Sequence, residues 1–215
     1  MLQLIIGNKK YSSWSLRPWL LMKQAGIEFE EILIPLWRED TKERLRSYSP
    51  TGKVPALRVG KETIWESLAI AEYLAENHPK KKLWPQDPAA RALARSVSAE
   101  MHAGFSALRR ECPFHALRKP VPIPLSEGAQ SDVRRIQDIW RELRTRHGNS
   151  GPFLFGEFSI ADAMYAPIVF RFTRYAIEMD SNARKFSETI LALPAVQEWI
   201  RAAQEEPWVI AQSEK

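Results

Sequence analysis

Residues 11–17 read Tyr-Ser-Ser-Trp-Ser-Leu-Arg, which crowds the hydroxyls of Tyr11, Ser12, Ser13 and Ser15 into one short stretch. A serine at a helix start ordinarily caps it, because its oxygen satisfies a backbone N–H that the first turn leaves unpaired. Three serines exceed what one cap needs. The junction of a strand end with a helix start also stabilises anions, through free amides and the helix dipole. A second feature is Val54-Pro55-Ala56-Leu57, directly behind the turn cluster Pro50-Thr51-Gly52-Lys53. A trans Pro55 would simply open an edge strand, whereas a cis bond would leave the Val54 N–H and C=O free to pair with an extended peptide ligand. A third is Glu66-Ser67 at another helix start. There the serine and the first amides either cap the helix or hold a ligand carboxylate, with Glu66 taking an amine. Ser159-Ile160-Ala161-Asp162 has the Ser-x-x-Asp form of a capping box and speaks for a helix start alone. His78, His102, His115 and His147 share no metal-ligand spacing, so no metal is expected.

These residues need elements to carry them. Residues 2–7 form a short apolar run ending in Gly7, residues 16–26 a helix stopped by Gly26, and residues 29–35 an alternating second strand. This β-α-β order implies a parallel pair. A polar helical stretch over residues 40–48 follows. Residues 56–59 and 62–65 then flank Gly60-Lys61 as a tight hairpin, and Ser67 opens a helix with Leu68, Ala71, Leu74 and Ala75 on one face up to Asn77. Residues 78–88, with three prolines and three consecutive lysines, have linker chemistry. Beyond them the periodicity is helical throughout. Leu93, Val97, Met101, Phe105 and Leu108 share one face of a single long helix; Val133, Ile136, Trp140 and Leu143 mark a second. Ser159 starts a third, and Val196, Trp199, Ile200 and Ala203 mark the last.

A chain of 215 residues, 45% hydrophobic and 27% charged with 9 Gly and 15 Pro, can bury a core and is neither collagen-like nor generally disordered. Its longest stretch free of charged side chains, residues 147–156, is far short of the roughly 20 residues a membrane span needs. No membrane partner is expected, and the apolar start without a preceding basic segment reads as a strand rather than a secretory signal. The single cysteine, Cys112, forbids an intrachain disulfide and reads as a packing residue, which fits a reducing cytoplasm. Thirty-one basic against 26 acidic residues give +5. The pairs Arg44/Arg46, Arg109/Arg110 and Arg134/Arg135 are scattered among acidic neighbours, as on solvated helix faces, and no nucleic-acid partner is expected.

The three features in the order βαβ, helix, ββα, followed by helices, resemble the cytosolic glutathione transferases over essentially the whole chain. The resemblance implies an α/β plus all-α fold: a thioredoxin-like N-terminal domain (βαβαββα, residues 1–79), a linker (80–88) and an all-helical domain (89–215) that contributes an electrophile site. It implies that Ser12 activates the thiol of glutathione, with Ser13 and Tyr11 as alternatives. Of the pair, Ser13 is the better placed to cap the helix, and Ser15 is expected inside it, facing away from the strand end. The Val54-Pro55 turn would be cis and align the cysteinyl backbone, Glu66-Ser67 would bind the γ-glutamyl group, and Lys53 would meet the glycyl carboxylate or remain a solvated turn residue. Trp14, Met101, His102 and Phe105 would wall an apolar electrophile, Met101 and Phe105 being equally suited to the core.

The serine motif is most similar to the zeta class, where two serines precede a cysteine; this chain has Trp14 there. The implied function is conjugation of glutathione, as co-substrate with no other cofactor, to an electrophile in detoxification. A zeta-like isomerisation of maleylacetoacetate and a non-catalytic binding protein are the alternatives. The family pairing also implies a homodimer through the hairpin and the helix over residues 89–110. Lowering a thiol pKa from about 8.5 by about two units requires about 2.7 kcal/mol. One hydrogen bond to the anion supplies about 1.5–3 kcal/mol and a helix N-terminus about 0.3–1, so no general base is needed.

Overall fold

The computed structural model describes residues 1–214. Four strands form one sheet: β1 (Leu2–Ile6), β2 (Glu30–Leu33), β3 (Ala56–Val59) and β4 (Glu62–Trp65), in the order β2-β1-β3-β4. β1 runs parallel to β2, with Leu4 opposite Glu31, and antiparallel to β3, with Leu4 opposite Leu57. The sheet is flanked by α1 (Ser13–Ala25), α2 (Thr41–Arg46) and α3 (Ser67–Asn77), giving the expected βαβαββα order. β1 is apolar on both faces because it lies inside the sheet. Leu4 and Ile6 join Leu16, Leu20, Leu57 and Leu74 in the main core, while Ile5 turns to a smaller cluster with Ile34, Leu45 and Ala56. Gly26 ends α1 in the left-handed conformation, at φ 61°, that a side chain would oppose.

The second half holds α4 (Pro88–Ala103), α5 (Ser106–Glu111), α6 (Glu127–His147), α7 (Ile160–Arg174), α8 (Ser181–Ala192) and α9 (Pro194–Glu205). α7 is buried almost all round and packs against α1, α4 and α8, so it is the post that joins the two halves. Its start is fixed by Asp162, which is 0% exposed: one carboxylate oxygen accepts the Ser159 N–H at 2.8 Å and hydroxyl at 3.0 Å, the other the Leu154 N–H at 2.9 Å. No helix of the described residues is long and apolar enough to cross a membrane.

One expectation is corrected. The long helix over residues 89–110 is broken: Gly104 is extended (φ −98°, ψ −168°), Phe105 is left-handed at φ 60°, and α5 starts afresh. A Cβ at Gly104 would sit 2.8 Å from the Glu100 carbonyl oxygen, so only glycine passes there without a shift. Apolar spacing hides the break because Met101, Phe105 and Leu108 all face the same core on either side of it. α8 lies within the stretch read as helical throughout, although no motif marks it. The segment between the halves is not a loose tether, since Leu83 and Trp84 are buried and the Leu83 carbonyl accepts the Ile160 N–H at 2.9 Å.

Candidate functional site

The starts of α1 and α3 and the turn before β3 all border one cleft of about 200 Å³, lined by Trp14, Lys53, Val54, Pro55, Trp65 and Glu66. A wider groove of about 600 Å³ past Pro122, Val133 and Met179 holds none of the candidate site residues. The Val54-Pro55 bond is cis, and Lys53 is exposed at the cleft. Glu66 is the turn residue before α3 and stands at φ 69°, ψ 126°. For a non-glycine residue that backbone is strained, a condition that persists where surrounding structure holds a side chain for use. α3 has no side-chain cap and neither α1 nor α3 has an acidic residue in its first turn, so both helix ends present unneutralised amides.

At α1 the serines divide their work differently from expectation. Ser12, not Ser13, is the N-cap: its Oγ accepts the Ser15 N–H at 3.3 Å. Its hydroxyl lies 2.8 Å from the Ser15 Oγ. Ser15 does not face away from the strand end, because its Oγ accepts the Gly7 N–H at 3.0 Å just beyond β1. Gly7, Ser15 and Ser12 therefore form one hydrogen-bonded chain from β1 to the helix start. Ser13 is buried at the first helical position. The Tyr11 hydroxyl donates to Glu214, and burial with that carboxylate pushes its pKa up to about 12. It is accordingly a neutral phenol already engaged elsewhere.

The wall beside Trp14 holds residues that the sequence reading missed. Arg17 is only 2% exposed, stacks 4.2 Å from the Trp14 ring, and donates to the Met164 carbonyl at 3.2 Å and the Ser67 hydroxyl at 3.4 Å. Both acceptors are neutral oxygens. Burial, then Arg109 and Arg171, pushes its pKa well below the usual value. Arg109, read from sequence as a solvated face, is instead half-buried 5.0 Å from the Trp14 ring, where its Nε donates to the Gly104 carbonyl at 2.9 Å. The break at Gly104 exposes that carbonyl to it. The His102 ring meets Trp14 edge-on at 5.2 Å, with Nε2 3.4 Å from Glu66 Oε2. Burial and then Arg17 lower the His102 pKa despite Glu66.

Of the other wall residues, Met101 is 0% exposed and lies wholly in the core, and Phe105 is likewise buried there. Cys112 is buried, which pushes its thiol up to about 11, as suits packing rather than nucleophilic work. Arg17 left a signal in the sequence: it stands three residues after Trp14, on the helix face that carries the buried Leu20 and Leu21, with no acidic residue in α1 to balance it. Around the cleft at Trp14 thus stand the starts of α1 and α3, with Arg17 and Arg109 against the Trp14 ring.

The chain matches two family descriptions, Glutathione S-transferase, N-terminal domain, over residues 11–77, and Glutathione S-transferase, C-terminal domain, over residues 89–202. It is 38% identical over 191 residues to the maleylacetoacetate isomerase of Mus musculus, covering 86% of this chain and 85% of that protein. It is 30% identical over 186 residues to a probable maleylacetoacetate isomerase of Caenorhabditis elegans, covering 85% of each. In fold it resembles a glutathione transferase homologue from Burkholderia gl BGR1 solved with bound glutathione, with a TM-score of 0.71, 24% identity and coverage of 95% of this chain and 98% of that one. Matched across both halves in sequence and over nearly its full length in fold, the chain belongs to the glutathione S-transferase family.

Proposed function

We propose that this protein binds glutathione in the cleft at Trp14 and uses its thiolate to attack an electrophilic carbon. The γ-glutamyl carboxylate fits Ser67 and the α3 amides, its amine Glu66, and the glycyl carboxylate Lys53. The cysteinyl backbone pairs with Val54, which brings the sulfur to the start of α1. There the Ser12 hydroxyl donates to the thiolate. In the free protein the Ser12 hydroxyl donates to the Ser15 Oγ, which also accepts the Gly7 N–H, so on binding the Ser12 proton turns from Ser15 to the sulfur. The observation that carries this reading is the convergence of the α1 start, the Val54-Pro55 turn and Glu66 on one cleft. In conjugation with an aryl halide the sulfur–carbon bond forms, halide leaves with the bonding electron pair, and the thiol proton has gone to solvent.

Isomerisation of the maleylacetoacetate kind is a second reading, supported by the names of the relatives. The sulfur adds to one carbon of a conjugated double bond, the bond rotates while single, and expulsion of the thiolate restores it in the other geometry. Arg17 and Arg109 beside Trp14 favour an anionic substrate of this type over a wholly apolar one. Retention on immobilised glutathione, followed by assays with an aryl halide and with maleylacetoacetate, tests both. Turnover on the halide supports conjugation, and turnover on maleylacetoacetate alone supports isomerisation. Retention without either turnover would leave a binding protein, and no retention would refute the site.

A further inference from the structure

The loop between β1 and α1 is gripped from the far end of the chain. Glu206, one residue past α9, is 8% exposed, and its two carboxylate oxygens accept the backbone N–H groups of Lys9 at 2.6 Å and Lys10 at 3.1 Å. On the same loop the Lys9 carbonyl accepts the Trp199 indole N–H from α9 at 2.9 Å, and the Lys10 carbonyl accepts the Ala116 N–H at 2.9 Å. One residue earlier, the Asn8 carbonyl accepts the amides of Tyr11 at 3.1 Å and Ser12 at 2.8 Å, which ties the gripped segment to the serine that caps α1. Two successive amides on one carboxylate make an anion-holding concavity, here filled by a side chain of the protein itself.

α1 is seated by its contacts with α3, α7 and α9, and both hydrogen bonds of the Glu206 carboxylate go to the backbone of the loop that leads into it. Burying a carboxylate is unfavourable unless its partners are well placed, so its use at this loop calls for a reason beyond cohesion. We propose that Glu206 is a positioning residue for thiol activation: it fixes the backbone at Lys9 and Lys10 and, through the Asn8 carbonyl, the place where the Ser12 hydroxyl meets the glutathione sulfur. The inference rests on the reading of the site given above. A hydrogen bond to a thiolate weakens steeply with misplacement, so loosening the loop raises the thiol pKa without touching the groups that bind the rest of the tripeptide.

The test uses the full chain as wild type, Glu206→Gln and Glu206→Ala, with Glu205→Gln at the exposed end of α9 as control. Two quantities are measured: the Kd for glutathione, and the pKa of the bound thiol from its ultraviolet thiolate absorbance. Glu206→Ala is expected to raise the bound thiol pKa by about half a unit to one unit while Kd stays within about twofold, with Glu206→Gln between it and wild type. The control should match wild type in both. If Glu206→Ala does not fold, Glu206→Gln, which keeps the size and one acceptor, decides the matter by the same shift. Variants that titrate like wild type would overturn the inference even if they melt earlier, because Glu206 would then be a structural tie only. A wild-type complex whose thiol titrates like free glutathione would overturn the underlying reading of the site and this inference with it.

Discussion

Ser15 holds a position that ordinary helix capping does not require, since it accepts from the Gly7 N–H at 3.0 Å and stands 2.8 Å from the Ser12 hydroxyl. The Ser12 hydroxyl donates to it, so removing Ser15 takes away the acceptor that orients Ser12 without removing the donor itself. Ser15→Ala should therefore raise the pKa of bound glutathione by less than Ser12→Ala does. It should also lower stability by about 1–3 kcal/mol, because the buried Gly7 N–H loses its acceptor. Thiolate titration of the two binary complexes and denaturant unfolding of the free variants measure these effects. A Ser15→Ala complex that titrates like wild type would show that Ser12 acts alone.

At the level of elements, α3 and α7 have similar starts with opposite uses. α3 opens without a side-chain cap at a strained Glu66, whereas at α7 Asp162 satisfies the Ser159 and Leu154 amides. Ser67→Ala should thus weaken glutathione binding by about 10- to 100-fold, the loss of one hydrogen bond to a charged group. Asp162→Asn should leave binding unchanged and alter stability instead. Burial raises the Asp162 carboxyl from 3.8 to about 6, so in that interval the folded chain holds a proton the unfolded chain has released. The folded state then binds more protons, and this group's contribution falls as pH rises from about 4 to about 6. Asp162→Asn should flatten that part of the profile of unfolding free energy against pH; an unchanged slope would contradict the assignment.

At the scale of the whole molecule, the two halves meet where α1 and α3 pack on α7 and α4; the cleft is lined from the first half, with His102 of α4 against Trp14 and Glu66. The family pairing leads to the expectation of a homodimer, about twice 24.8 kDa by light scattering at micromolar concentration, and a monomer at that concentration would contradict it. Much of the fold was legible because its signals are local: Gly26 and Gly60 punctuate the first half, and the apolar run of β1 fits a strand covered on both faces. The break at Gly104 was not, since apolar spacing continues across it, and no motif marks α8. Within the site, Val54-Pro55 and Glu66-Ser67 could be found because turn and cap chemistry lies in adjacent residues. Arg109 and Glu206 could not, because each acts through backbone groups supplied by a fold that the sequence does not display.

The central claim is that the start of α1 holds glutathione as a thiolate through Ser12. It is tested most directly by titrating the thiolate absorbance of bound glutathione against pH in wild type and Ser12→Ala, with Kd measured alongside. The account predicts a wild-type thiol about two units below the free value of about 8.5, and a return of about one to two units in Ser12→Ala with little change in Kd. A wild-type complex that titrates like free glutathione, or a Ser12→Ala complex that keeps the full shift, would contradict it.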